Sequence, residues 1–229
     1  MQPAPAPLSI RPALVLIGGF LAIAALGALA QHRAAGQATL PAPQSHALFY
    51  LSLIAIEWGL VLYVWRAGLR RDGAALRELI GDRWRTPRDL ARDAALALAV
   101  WALWGGLDRL MDAWRGPELA ASVGSWLPRG PLEIALWVAL SLSAGFSEEL
   151  VFRGYLQRQL RQLTGNAAMG TVLQAVLFGI SHGYQGVRAT AKITAYALLL
   201  TALASWRRSL RPGMLAHAWT DVAAGALRM

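Results

Sequence analysis

Cysteine is absent from the 229 residues, and lysine occurs once, at position 192. The lack of cysteine excludes disulfides, thiolate metal ligands and a cysteine nucleophile, although it does not identify the cellular compartment. Charged residues are also scarce, at 15%, whereas 56% of the residues are hydrophobic and the mean hydropathy is +0.40. So apolar a composition excludes an ordinary soluble domain and indicates a protein that lies in the lipid bilayer.

Hydrophobic residues occur in blocks of about 17 to 25, the length that a helix needs to cross a hydrocarbon core. Because a backbone in lipid must satisfy its own hydrogen bonds, these blocks predict helices. The sequence therefore predicts an all-α, polytopic transmembrane bundle with about seven spanning helices. The predicted spans are 12–30, 47–65, 90–114, 132–163, 167–182, 190–206 and 213–227.

The first predicted span ends in Ala28-Leu29-Ala30, a pattern that resembles a signal-peptidase site. Its uninterrupted apolar run of about 19 residues is longer than the core of a signal peptide, which is usually about 7 to 15 residues. We therefore expect this helix to be retained as a membrane span.

The formal net charge of +9 arises from 22 basic residues and 13 acidic ones. In a soluble protein this balance would suggest nucleic acid, but the chain has no basic domain of soluble character, so we expect no nucleic-acid partner. In a seven-span arrangement, 15 of the 22 basic residues lie on the side of the membrane that holds the N-terminus. Positively charged loops stay in the cytoplasm, so the N-terminus is predicted to be cytoplasmic.

Two parts of the chain differ in character. Residues 1–130 are predicted to hold N-terminal transmembrane helices with a basic cytoplasmic loop at 66–92, and residues 131–229 are predicted to form a catalytic helical core. The 66–92 loop carries eight arginines, which suit either an amphipathic segment on anionic lipid or a solvated loop. Glu57 is the one acidic residue inside the second span, and the sequence assigns it no role.

Ionisable groups inside spans are costly, so a group of them is the first place to look for function. The predicted span 132–163 contains two adjacent glutamates, Glu148 and Glu149, with Arg153 four residues after the second. Glu149 and Arg153 share a helix face and can pair, whereas Glu148 points about 100° away and is left available. Alternatively, the three side chains form a structural network at the helix end.

Four histidines occur in the chain, and two of them, His182 and His217, fall in the same half as these acids. Phe178 lies one helical turn before His182, and Asp221 lies one turn after His217. An aspartate that accepts a hydrogen bond from an imidazole fixes its tautomer, a role found at metal and proton-transfer sites. A lone histidine at a helix end is more often a packing residue. The occurrence of both histidines in the same half of the chain as these acids nevertheless favours a functional site.

Helix geometry gives a first idea of which of these residues meet. Glu148 lies 17 residues before Gly165 and His182 lies 17 residues after it. If Gly165 is the turn of a helical hairpin, Glu148 and His182 are at the same height and can meet. His217 is only about 9 Å along its helix from Arg211, so it reaches that height only if the hairpin tip projects into the cytoplasm.

The ordered segments EELVFRG, FGISH, HGYQG and HAWTD lie within about 130–225. They resemble the CAAX-protease and bacteriocin-processing (CPBP, also called Abi) family of intramembrane peptidases, whose pattern is EExxxR, FxxxH and HxxxN or HxxxD. The resemblance implies that Glu148 and His182 activate water and that Glu149 and Arg153 form an orienting pair. It also implies that His217 and Asp221 stabilise the oxyanion or complete a metal site, and it gives Phe178 of the FxxxH motif a supporting place.

The resemblance implies an intramembrane endopeptidase, CAAX-protease-like and either glutamate-type or metal-dependent, in a bacterial inner (cytoplasmic) membrane. A metal-dependent enzyme would bind zinc or another divalent metal through His182, His217 and Glu148, and the aspartate at 221 favours this version. A glutamate-type enzyme would need no cofactor, and no HExxH motif is present. The partners would be the lipid bilayer and a membrane-associated protein or peptide substrate.

Three substrate classes fit the resemblance: prenylated C-terminal tails, bacteriocin leaders and C-terminal membrane anchors of exported proteins. Two other functions stay open. The chain could be a catalytically silent scaffold or partner-binding protein of the same fold. It could also be a transporter, although the sequence shows no inverted repeat.

Overall fold

The structure, a computed structural model, describes residues 9–34, 45–70, 75–81, 83–115 and 126–226. Within these ranges the chain forms helices and no strand, which confirms the all-α class. The helices are α1 Arg11–Ala34, α2 Ala47–Tyr63, α3 Leu76–Ile80, α4 Pro87–Arg115, α5 Pro131–Glu148, α6 Gln157–Thr164, α7 Ala167–Ser181, α8 Val187–Arg207 and α9 Arg211–Ala226.

Two helices are extended by π-helical segments, α2 through Val64–Leu69 and α5 through Glu149–Leu156. The second segment joins α5 to α6 in one continuous rod. A 3₁₀ turn, Gly183–Gln185, connects α7 to α8.

Five helices of the described chain are long and apolar enough to cross a membrane, with mean hydropathies of 1.3 to 2.3. They are Arg11–Leu29, Ala47–Leu69, Pro87–Ala113, Pro131–Thr164 and Val187–Arg207. The other two predicted spans are helices at the expected places, but α7 has 15 residues and α9 has 16. The prediction of about seven spans was therefore approximate, and the chain is a polytopic integral membrane protein.

The hairpin between α6 and α7 has the turn that the sequence predicts. Gly165 ends α6 with φ of +64°, a left-handed conformation that glycine adopts without strain. Asn166 then caps α7, because its side chain accepts hydrogen bonds from the amides of Ala168 and Met169 at 2.9 and 3.1 Å.

The first helix packs against the centre of the bundle. Ala13, Leu16 and Phe20 are buried in the same apolar cluster as Leu150 and its neighbours. The rings of Phe20 and Phe152 lie 4.7 Å apart. Retention of α1 stays a prediction, and these contacts are what a retained helix would make.

The basic segment 66–92 keeps its described arginines exposed and buries part of its apolar surface. Leu69 and Leu79 are buried. The amide of Leu210 donates to the Ile80 carbonyl at 2.9 Å, and the guanidinium of Arg158 donates to the Glu78 carbonyl at 2.6 Å. Residues 78–80 therefore pack against α6 and the residue that precedes α9. Residues 71–74 and 82 of it lie outside the described part.

The helices alternate in direction, so the bundle has two distinct ends. One end, called the basic end, holds the starts of α1, α4, α7 and α9. There Arg207 forms an ion pair of 3.1 Å with the buried Asp93. At the other, the aromatic end, the His46 amide donates to Glu133 at 2.8 Å. The aromatic end is named for Tyr50, Trp126, Trp137 and Tyr184, which pack together there.

Residues 116–125 of the connection before α5 lie outside the described part of the chain. The division into 1–130 and 131–229 stays a prediction.

We expect the basic end to face the cytoplasm, and the absence of native cysteine makes the orientation simple to measure. Gln162→Cys, exposed at the basic end, should react with an impermeant maleimide only after cells are permeabilised. Val187→Cys, at a position that is 87% exposed near the aromatic end, should react in intact cells. The reverse labelling pattern would invert the orientation.

Candidate active site

A cavity of about 350 Å³ lies among α2, α4, α5, α7, α8 and α9. Its wall includes all four residues that the sequence proposes as catalytic. These residues are Glu148 from α5, His182 from the end of α7, and His217 and Asp221 from α9. The fold thus gathers side chains from three helices that are far apart in the sequence.

The deepest part of the site is a buried ion pair. Arg153 Nη1 lies 3.1 Å from Glu149 Oε1, and neither side chain has any exposed surface. The predicted pairing of these two residues is confirmed. Because breaking such a pair would leave a lone charge in an apolar interior, each partner depends on the other.

His217 extends the ion pair across to α9. Its Nδ1 lies 3.0 Å from Glu149 Oε1, and its Nε2 lies 3.5 Å from Glu148 Oε2 and 3.7 Å from Asp221 Oδ2. Glu149 therefore makes the short contact to the imidazole, in keeping with the orienting pair that the resemblance implies, whereas the helical spacing alone suggested that Asp221 would accept this hydrogen bond. Asp221 instead approaches the other ring nitrogen.

Phe178 is the packing element between the charged groups. The Arg153 guanidinium lies over its ring at 4.2 Å, which is within the range of a cation–π interaction. The same ring is 4.8 Å from the His182 imidazole and 5.9 Å from that of His217. Phe178 thus covers Arg153 and packs against both histidines, and its supporting role stays a prediction.

His182 lines the same cavity as Glu148, and the end of α7 orients its ring. Its Nδ1 lies 2.9 Å from the Phe178 carbonyl oxygen, which can only accept a hydrogen bond. Nδ1 must therefore carry the proton, and in a neutral ring Nε2 is left as an acceptor. The sequence favoured a meeting of Glu148 with His182 over one with His217, but His217 is the histidine that makes the close approach to Glu148.

Glu57 is a cavity residue to which the sequence assigned no role. It lies in the wall with Glu148 and is hydrogen-bonded to the Ser147 hydroxyl. The signal was present, since Glu57 is the one acid in its span, but the partner is 90 residues away along the chain. Tyr196 and Thr220, which share a hydrogen bond of 2.8 Å, also line the cavity and were not predicted.

Exposure falls steadily along the site. The side chain of Asp221 is 36% exposed, that of Glu148 15%, that of His217 7% and that of Glu149 0%. The site is therefore entered from the side of Asp221 and ends at the ion pair.

The described residues contain no group of three or more histidine, cysteine, aspartate or glutamate side chains arranged to hold a metal ion. By that finding the proposed ligands His182, His217 and Glu148 are not gathered as a three-ligand group in this arrangement. Both histidines have Nδ1 engaged, His182 with the Phe178 carbonyl and His217 with Glu149, so Nε2 is the nitrogen of each ring that a metal would use. A zinc or other divalent metal cofactor remains a prediction from the sequence.

Fold and site together define a polytopic helical membrane protein whose buried carboxylates and histidines surround an intramembrane cavity. Residues 130–223, from the start of α5 into α9, match the family described as type II CAAX prenyl endopeptidase Rce1-like, which belongs to the CPBP family. The matched segment contains every residue that the sequence analysis assigned to the site, and the resemblance is confirmed. No curated protein and no solved structure matches the chain.

Replacement of Arg153 by methionine should destabilise the protein by about 3 to 5 kcal/mol, because it leaves Glu149 unpaired in an apolar interior. Membrane abundance and the thermal unfolding temperature in detergent measure this loss. Arg88→Met, at an exposed position, is the control and should have little effect. The double replacement of Glu149 by Gln and Arg153 by Met should recover part of the loss. An Arg153→Met protein as stable as the native one would contradict the proposed dependence.

Proposed function

We propose that the chain is an intramembrane endopeptidase of the CAAX-protease type that hydrolyses a peptide bond in a membrane-associated protein. The observation that supports this proposal most directly is the position of the Glu148 carboxylate. Its carboxylate lines the cavity 3.5 Å from His217 Nε2, while the ion pair of Glu149 and Arg153 holds that imidazole from the other side.

Peptide hydrolysis requires a base for the attacking water and donors for the oxygen that becomes negative. In the proposed mechanism Glu148 accepts a proton from water as the water oxygen attacks the peptide carbonyl carbon. The carbonyl electrons move to its oxygen, and the tetrahedral intermediate forms. When the carbon–nitrogen bond breaks, the proton held by Glu148 passes to the leaving amine.

The histidines take different parts in this proposal. The neutral ring of His182 has a free lone pair on Nε2, so it suits a role in holding the water beside Glu148. His217 is bonded to Glu149 through Nδ1 and has two carboxylates near Nε2, an environment that suits a doubly protonated ring. Its Nε2–H could then donate to the oxyanion, with Asp221 as a nearby counter-charge.

Glu148→Gln should lower cleavage by at least about 100-fold, the usual minimum loss when a general base is removed. Glutamine has nearly the same shape, so we expect native-like abundance in the membrane. Glu78→Gln, at an exposed position of α3, is the control. Mass spectrometry of membrane-protein termini, comparing cells that express each variant, measures cleavage even when the substrate is unidentified. Normal cleavage by Glu148→Gln would contradict the mechanism, and no cleavage by the native chain would favour the scaffold or transporter.

We expect the glutamate-type version, because Glu148 lines the cavity beside His217 and the described residues form no three-ligand group. Phenanthroline should therefore leave the activity of the purified enzyme unchanged. A loss of activity that is reversed by added zinc would instead support the metal-dependent version. In that case Asp221→Asn should weaken metal affinity by about 10- to 100-fold, as do other changes beside a ligand histidine.

A further inference from the structure

The cavity belongs to one end of the bundle. Its wall comes from residues 49–57 of α2, residue 104 of α4, residues 137–148 of α5, the end of α7, the first turns of α8, the last turns of α9, residue 126 and the 184–185 loop. All these parts lie toward the aromatic end. Among the described residues, no part of 64–92, 149–166 or 200–211 lines the cavity.

The depth of the cavity follows from the helix rise. From Tyr50 to Glu57 the wall descends about 10 Å along α2, and from Trp137 to Glu148 about 16 Å along α5. The upper wall is aromatic. The ring centres of Trp126 and Tyr184 lie 5.4 Å apart, and those of Tyr50 and Trp137 lie 5.6 Å apart. Tryptophan and tyrosine concentrate where a membrane protein meets the headgroup region.

The floor of the cavity is closed toward the basic end. Glu149 and Arg153, with the three apolar residues between them, form a continuous buried segment of α5 in which no residue is more than 3% exposed. Phe178 packs over Arg153 from α7. A peptide can therefore reach Glu148 from the aromatic end and not through the basic end.

The two ends also differ in charge. Described basic residues at the aromatic end are Arg109, Arg129, Arg188 and Lys192, and acids lie near them: Lys192 pairs with Asp108 and Asp112 at 2.8 and 2.6 Å. The basic end holds Arg11, Arg66, Arg70, Arg77, Arg83, Arg85, Arg88, Arg92, Arg158, Arg161, Arg207, Arg208 and Arg211. An excess of arginine at one end of a membrane protein keeps that end in the cytoplasm, so we expect the basic end to be cytoplasmic.

We propose that the active site opens to the extracytoplasmic side of the membrane and takes the extracytoplasmic juxtamembrane segment of a membrane-anchored protein. A lipid-modified tail in the cytoplasm would meet the closed floor instead. Of the three substrate classes compatible with the sequence, this geometry favours the C-terminal anchor of an exported protein. The substrate class rests on the proposed function, whereas the direction of the opening does not.

Cysteine accessibility tests the opening without any need for catalysis. Ala144 lines the cavity on α5, and Leu142, two residues away, is 59% exposed on the outer surface of the same helix. A charged, impermeant thiosulfonate added to intact cells should modify Ala144→Cys, because that thiol faces an aqueous cavity. It should not modify Leu142→Cys, whose thiol lies in hydrocarbon and does not ionise. Ala224→Cys, exposed at the cavity mouth, provides a second position.

In inside-out vesicles the same reagent should leave Ala144→Cys and Ala224→Cys unmodified. Modification in inside-out vesicles but not in intact cells would overturn the proposed opening. So would failure to modify both positions in intact cells, provided that both variants accumulate in the membrane.

The substrate class is tested by mapping the termini that appear with the native chain and not with Glu148→Gln. They should fall in extracytoplasmic segments beside membrane anchors, and thiosulfonate treatment of cells carrying Ala144→Cys should suppress them. Termini in cytoplasmic tails would overturn the substrate proposal even if the proteolytic function holds. If no new terminus appears, the proposed proteolysis and its substrate class fail together, while the labelling still decides the opening.

Discussion

The ion pair of Arg153 with Glu149 is the interaction on which the site depends. It lies at the centre of the bundle, without exposed surface, and each partner carries a contact to another helix. Glu149 contacts His217 of α9, and Arg153 lies beneath Phe178 of α7. A desolvated charge pair tolerates little displacement, because either charge left alone in this environment is costly. The relative positions of α5, α7 and α9 are therefore coupled to one another through two side chains.

Small residues make the approach of α5 to α9 possible. A Cβ atom on Gly145 would lie 2.7 Å from the Cβ of Ala218, so no larger residue fits there without movement. A Cβ atom on Gly213 would lie 3.2 Å from Glu149 Oε2. Close contact through small residues is the usual way in which membrane helices associate, since lipid provides no hydrophobic force between them. Here it brings the His217 ring within reach of both glutamates.

Local features of the site and fold could be predicted from the sequence, and long-range ones could not. The pairing of Glu149 with Arg153 and the turn at Gly165 depend on residues four apart or fewer, and both are present. The choice between His182 and His217 as the neighbour of Glu148 depends on how the helices pack side by side. Both histidines line the cavity with Glu148, and counting residues from a turn gives a height but not which neighbouring helix brings its histidine within 3.5 Å. No local sequence pattern indicates the contact of Glu57 with Ser147, because the two residues lie 90 positions apart.

The ion pair also determines how the site is reached. Because Glu149 and Arg153 fill the bundle beneath His217, the polar path ends there, and exposure rises only in the direction of Asp221. A catalytic carboxylate needs both a dry surrounding, in which its charge acts strongly, and a route for water and substrate. In the proposed enzyme, a cavity closed at one end and open at the other provides both for Glu148. The interaction that orients the imidazole would then also decide from which end of the bundle a peptide reaches the site.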